Sequence, residues 1–299
     1  MKTINAPSLQ AILATAQPPL LLHVLPPESW ASQRLPHARC ACVYEVTFLD
    51  TVASLASDIA SHIIVYGAGE PTLEAIAAAE KLTVAGYQNI TIFSGGLREW
   101  IDAGLATEGT GLAVTPPNYQ GQWRIDPTAS VIRWTGRNLF NHHEGTVQLS
   151  GGQFAIAGDH LENGTFAIDM TSIACTDIPD QAMNQILLQH LANADFFLSS
   201  EFPEATFSVA SAKPISTATL GTPNFMIEGT LTLRGVAQPI EFPALIALND
   251  EGQLIAQAQL EIDRTRWGIS YGSGRLFAWL GKHVVNDLVA LHIKIKAIC

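Results

Sequence analysis

FMIEGTLTLR, residues Phe225 to Arg234, decides how the second half of this chain folds. Strand side chains alternate with period two, so Phe225, Ile227, Gly229, Leu231 and Leu233 share one face and Met226, Glu228, Thr230, Thr232 and Arg234 share the other. One face is apolar and one is polar. The alternation returns at Leu254 to Ile262 and again at Val289 to Ala297, with turn-forming residues such as Asn249-Asp250-Glu251-Gly252 between runs. An antiparallel sheet of this kind must close on itself or cover its apolar face, and a barrel does both.

The 299 residues exceed what one ordinary core supports, so two domains are expected. With 27 acidic and 16 basic residues and no Lys/Arg run, nucleic acid and anionic membrane surfaces are not expected as main partners. The N-terminus lacks the uninterrupted apolar core of a signal peptide, and no apolar run approaches the ~20 residues of a membrane span. A cytoplasmic protein that is not integral to a membrane is the expectation. The four cysteines, Cys40, Cys42, Cys175 and Cys299, fit free thiols in a reducing compartment rather than a disulfide framework.

Residues 1–108 read as an α/β domain. Leu20 to Leu25, Ile63 to Tyr66 and Ile90 to Phe93 are short continuous apolar runs, suited to strands buried on both faces of a parallel sheet. Between the last two, Pro71 to Ala85 reads as a helix opened by Pro71 and closed by Gly86. The loop Gly67, Ala68, Gly69, Glu70 then lies where open α/β folds hold ligands and where helix N-termini attract anions. The segment CACVYEVTF alternates like a strand, with Cys40 and Cys42 as small apolar fillers.

LLLHVLPPESWASQRLPHA (Leu20 to Ala38) and IIVYGAGEPTLEAIAAAEKLTVAGYQNITIFSGGLREWIDAGL (Ile63 to Leu105) resemble the rhodanese-like domain. The resemblance implies a nucleophilic cysteine directly after the strand, and this chain has Gly67 there. Sulfur transfer needs a thiolate to carry the sulfane sulfur, so an inactive domain that regulates or binds a partner is expected, with no catalytic residue.

Residues 109–121, rich in Gly, Thr and Pro, read as a linker, and residues 122–299 as the barrel domain. Gly151-Gly152 reads as a hairpin turn, and Gln181 to Asn193 as a helix covering a barrel mouth. WRIDPTASVIRWTG (Trp123 to Gly136), HHEGT (His142 to Thr146), IDMTSIACTD (Ile168 to Asp177), HLANADFF (His190 to Phe197), FPEATFSV (Phe202 to Val209), FMIEGTLTLRGVAQPIEF (Phe225 to Phe242) and RTRWGISYGSG (Arg264 to Gly274) together resemble the YceI-like family. The resemblance implies a lipocalin-like barrel that binds a polyisoprenoid lipid, or a quinone of similar chemistry.

The candidate ligand contacts are Trp134, Phe166, Ile168, Phe196, Phe207, Phe225, Ile227, Leu231, Trp267, Tyr271, Phe277 and Trp279. Gly229, Ala256 and Ala258 are expected to leave room inside, and Arg137, Arg264, Arg266 or Lys282 to meet a head group at the mouth. His142, His143, His160 and His190 lack metal-ligand spacing, so no metal and no cofactor are expected beyond a bound lipid. Two other functions fit the composition: persulfide handling, and a packed barrel serving only as an interaction surface, with a homodimer compatible with any of the three.

Overall fold

The computed structural model describes residues 2–111, 118–157 and 160–299, the side chains of His160 and Glu162 aside. Residues 112–117 of the expected linker lie outside the described residues. The chain divides into two compact units, Met1–Pro116 and Pro117–Cys299.

In the first unit, β1 (Lys2–Ile4), β2 (Leu20–His23), β3 (Arg39–Cys40), β4 (His62–Tyr66) and β5 (Asn89–Phe93) form a parallel sheet in the order β1-β5-β4-β2-β3. Five helices alternate with them: α1 (Ala6–Leu13), α2 (Pro27–Ser32), α3 (Phe48–Leu55), α4 (Glu74–Val84) and α5 (Gly96–Asp102). The continuous apolar runs are explained by cores on both faces. Ile63 and Val65 pack with Phe48, Val52 and Leu82, while Ile64 and Tyr66 pack with Leu9, Phe93 and Trp100.

Two local expectations are corrected here. Of the alternating segment only Cys40 is in a strand, at the end of β3, and from Phe48 the chain is helical, because Phe48 and Val52 bury one face of α3. Pro71 does not open the helix. Thr72 donates both its N–H and its hydroxyl to the carbonyl of Gly69 in a turn, and α4 begins at Glu74.

The second unit comprises β6 (Gly121–Ile125), β7 (Val131–Arg137), β8 (His142–Ala157), β9 (His160–Cys175), α6 (Gln181–Ala192), β10 (Glu204–Pro214), β11 (Phe225–Leu233), β12 (Val236–Leu248), β13 (Leu254–Asp263) and β14 (Leu288–Ile298). Strands β7 to β14 pair antiparallel in sequence, and β14 returns to β7, closing an eight-stranded barrel. Short β6 occupies the same lane as β7, between β8 and β14. Closure leaves these strands without free edges.

Gly151-Gly152 is not a turn. Strand β8 runs through it, and the pairing with β9 slips between Leu149 and Gly151, a bulge. A Cβ on Gly152 would meet Ile125 Cδ1 at 2.7 Å and the Thr165 carbonyl oxygen at 2.8 Å, so the glycine admits close packing rather than a reversal.

Candidate functional site: a two-chambered apolar barrel

The inward residues of the closed sheet do not fill it. Two chambers lie inside, with Ile132, Ile168, Leu231 and Leu291 in the walls of both. The outer one, about 380 Å³, falls in the usual ~300–1,000 Å³ range of small-molecule sites. Its cover is α6, started by the Asp180 carboxylate accepting from the Met183 N–H and placed so that Leu187, His190 and Leu191 face the chamber. The inner chamber, about 140 Å³, exposes no polar surface and is walled by residues such as Phe154, Phe166, Phe207, Phe242 and Ile295.

Trp134, Phe196 and Tyr271 line the outer chamber; Phe166, Phe207 and Ile227 line the inner one; Ile168 and Leu231 belong to both. Trp134 lies against Gly145, where a Cβ would meet its ring at 2.8 Å, and its indole N–H donates to the Thr146 carbonyl. This accounts for the glycine in the HHEGT segment.

Four expected contacts lie elsewhere. Phe225, at the end of β11, packs edge-on against Tyr119. Trp267 sits in a 3-10 turn (Arg264–Trp267) and is fully buried, its indole N–H donating to the Leu231 carbonyl, so it braces the wall from outside the chambers. Phe277 and Trp279 lie in the loop before β14, beyond the reach of strand alternation, and project outward. Gly229 leaves no room: a Cβ there would meet Phe207 Cζ at 2.5 Å, so the Phe207 ring takes that space. Ala256 and Ala258 do border the inner chamber.

The polar groups of the site cluster at the outer mouth. Arg137, His143, His190, Arg264, Lys282 and His283 line the outer chamber, and no carboxylate does. Arg264 is buried and committed: it donates to the carbonyls of Ile269, Tyr271, Val285 and Asn286 and lies 3.6 Å from Asp287. Burial lowers its pKa, and the Asp287 and Asp263 carboxylates oppose that shift. It holds the 3-10 turn against the loop entering β14 and has little left for a ligand. Arg266 donates to the Pro239 carbonyl and is outside the lining.

His143 is 2.9 Å from Asp177, whose carboxyl is held down at about 2. Burial acts against that shift, but hydrogen bonds from the Glu144 N–H, His143 and Cys175 outweigh it. His190 is 3.2 Å from Asp195 and packs edge-on against Phe196 and Tyr271. Both histidines are thus oriented by carboxylates standing behind the lining. Among the described residues no group of three or more His, Cys, Asp or Glu side chains could hold a metal ion.

Sequence reasoning passed over Ile132 and Leu291 as ligand contacts, although alternation within residues 130–136 sets Ile132 on the same face as Trp134 and alternation within residues 289–297 sets Leu291 on the apolar face. Met170 and Val289 were passed over in the same way, on the apolar faces of β9 and β14, while Val285, in the loop before β14, carries no alternation signal.

In the first unit, the Gly67–Glu70 loop is tied to α5: the Leu97 and Arg98 N–H groups donate to the carbonyls of Gly67 and Ala68. A Cβ on Gly67 would meet Glu74 Oε2 at 2.9 Å and Glu74 Cβ at 3.0 Å. Glu74, half-buried in the first turn of α4, has its Oε2 buried there without a hydrogen bond. Nearby, His23 Nδ1 is 3.1 Å from the Tyr66 hydroxyl, which accepts from the Leu35 N–H. Burial and the Arg34 charge lower the His23 pKa to about 4, and burial raises that of Tyr66.

A family model for the YceI-like domain matches residues 123–297. The chain belongs to the YceI-like family. A second model, for the rhodanese-like domain, matches residues 5–103, so this YceI-like protein carries an N-terminal rhodanese-like domain. Among solved structures, Burkholderia cenocepacia BcnA is 21% identical with a TM-score of 0.46, over 58% of this chain and 99% of that one. A polyisoprenoid binding domain from Saccharophagus degradans is 17% identical with a TM-score of 0.41, over 58% and 97%. For the first unit, the Alr3790 protein from Anabaena sp. is 26% identical with a TM-score of 0.32, over 36% and 91%. No curated protein matches this YceI-like chain in sequence.

Proposed function

We propose that the barrel carries one elongated apolar molecule, of the isoprenoid lipid or quinone class, and that the rhodanese-like domain is a non-catalytic module that binds a partner or regulates. The observation that supports the first part is the pair of chambers with common walls, apolar inside and basic at the mouth. An apolar tail would extend from the outer chamber into the inner one, each buried methylene contributing ~0.8 kcal/mol. A polar end would remain beside Arg137, His190 or Lys282. Ligand length and the nature of that end then select the molecule.

The second part rests on Gly67 and Glu74. Sulfur transfer requires a thiolate and room for an anionic sulfur donor, and here Gly67 has no thiol and the Glu74 Oε2 stands 2.9 Å from the position its Cβ would take. The Gly67–Glu70 loop offers no thiol to the persulfide alternative.

The test is displacement of an environment-sensitive apolar fluorophore from the delipidated protein by isoprenoid alcohols and quinones of increasing chain length. Affinity should rise with length and then level off when both chambers are filled. Failure of every chain length to displace the fluorophore would count against the carrier reading.

A further inference from the structure

Two loops border the open end of the outer chamber. One, residues 137–143, is RNLFNHH; the other, residues 274–286, is GRLFAWLGKHVVN. They are joined by a bridge between Asn138 and Val285 and by the Asn286 N–H donating to the Arg137 carbonyl at 2.8 Å. Arg137, His143, Lys282 and Val285 turn toward the chamber. The apolar tips turn away from it: Leu139, Phe140, Leu276 and Phe277 are exposed, and Trp279 is 102% exposed.

Such exposure of large apolar side chains in one region marks an interaction surface. Trp279 also has a φ of 62°, a left-handed backbone that bulky residues seldom adopt. Strain and exposure at the same residue point to a use for the ring outside the fold.

Within the two loops themselves the charge is basic, with carboxylates confined to the flanking Glu144, Asp177, Asp263 and Asp287. Neither loop contains Asp or Glu, in a chain with 27 acidic residues, whereas together they hold Arg137, His142, His143, Arg275, Lys282 and His283. Arg275 pairs with Asp263 and Asp287, and His143 with Asp177; among the described residues Arg137 and Lys282 have no ion-pair partner. The overall acidity that argues against a membrane partner therefore hides a local surface of the opposite kind.

We infer that this rim docks on a lipid bilayer bearing anionic head groups, with Trp279, Phe140 and Phe277 entering the interface and Arg137 and Lys282 facing the head groups. This gives the chamber mouth a source for its ligand and rests, for its purpose, on the carrier reading. A long apolar molecule is nearly absent from water, so a mouth set against the leaflet avoids carrying each methylene through solvent. A second copy of the chain is the weaker occupant, because an isologous contact would set like charges from the same rim against each other.

The experiment is co-sedimentation of the full chain with vesicles of phosphatidylcholine alone or mixed with phosphatidylglycerol. The wild type should bind the mixed vesicles, more weakly as salt rises. The double variant Phe140→Ser/Trp279→Ser should bind about tenfold more weakly or worse, while displacement of the apolar fluorophore by a detergent-solubilised isoprenoid is unchanged. Lys282→Glu should weaken binding to the mixed vesicles. Absence of vesicle binding by a wild type that takes up isoprenoid would overturn the docking inference alone. So would a double variant that binds vesicles normally, or a wild-type dimer in sedimentation velocity that the double variant makes monomeric. Vesicle binding lost in the double variant, with no isoprenoid uptake by either protein, would uphold the docking and remove the carrier reading.

Discussion

Ala256→Leu tests whether the inner chamber holds the tail of a ligand. Ala256 borders that chamber on β13, between Ile246 of β12 and Ile295 of β14. The substitution adds three carbons to a space of about 140 Å³. Excluding roughly three methylene-sized groups of ligand, at ~0.8 kcal/mol each, costs about 2.4 kcal/mol, or about 60-fold in affinity. The same carbons fill a void in the empty protein, so its stability should hold or rise. Competition titrations with isoprenoids of graded length, together with thermal melting of the delipidated variant, separate the two effects. Long isoprenoids should lose about 60-fold, and short ones that end in the outer chamber should lose little. Unchanged affinity for the longest ligand, in a variant whose melting temperature has not fallen, would refute the two-chamber path.

Three further predictions concern other parts of the chain. Arg264→Leu leaves four carbonyls around the 3-10 turn without their donor and should destabilise the barrel by about 3 kcal/mol or more, read from urea unfolding. Acid should weaken the rhodanese-like domain through His23. With its folded pKa at about 4 and an unfolded value near 6.5, the unfolded chain binds more protons between those limits, so stability present above pH ~6.5 is lost as pH falls to ~4. The loss should reach about 3 kcal/mol, and His23→Leu should flatten that dependence in pH-resolved unfolding. Gly67→Cys should give no thiosulfate:cyanide sulfurtransferase activity, because its Cβ would meet Glu74; turnover by the wild type would contradict the non-catalytic assignment.

Much of the barrel was legible because alternation is a local signal. Phe225 to Arg234 shows its buried face directly, and the inward positions of β7, β13 and β14 follow by the same parity. Gly151-Gly152 misled because glycine serves a turn and a bulge alike, and the choice between them depends on Ile125 and Thr165, far away in sequence. Pro71 misled similarly: proline suits a helix start, but also the turn that precedes one. Within the site, Trp134, Phe166 and Phe207 lie on strands and could be placed inside, whereas Trp267, Tyr271, Phe277 and Trp279 lie on non-repeating backbone where parity gives no direction, and of these Tyr271 alone lines a chamber. Gly229 shows the limit of counting small residues, since its space belongs to Phe207.

Native mass spectrometry of the protein purified from its own cells, followed by organic extraction, tests the central claim most directly. The account predicts one apolar molecule per chain, released by solvent and identified as a polyprenyl compound or quinone. A bare chain whose mass is unchanged after incubation with long isoprenoids would contradict it.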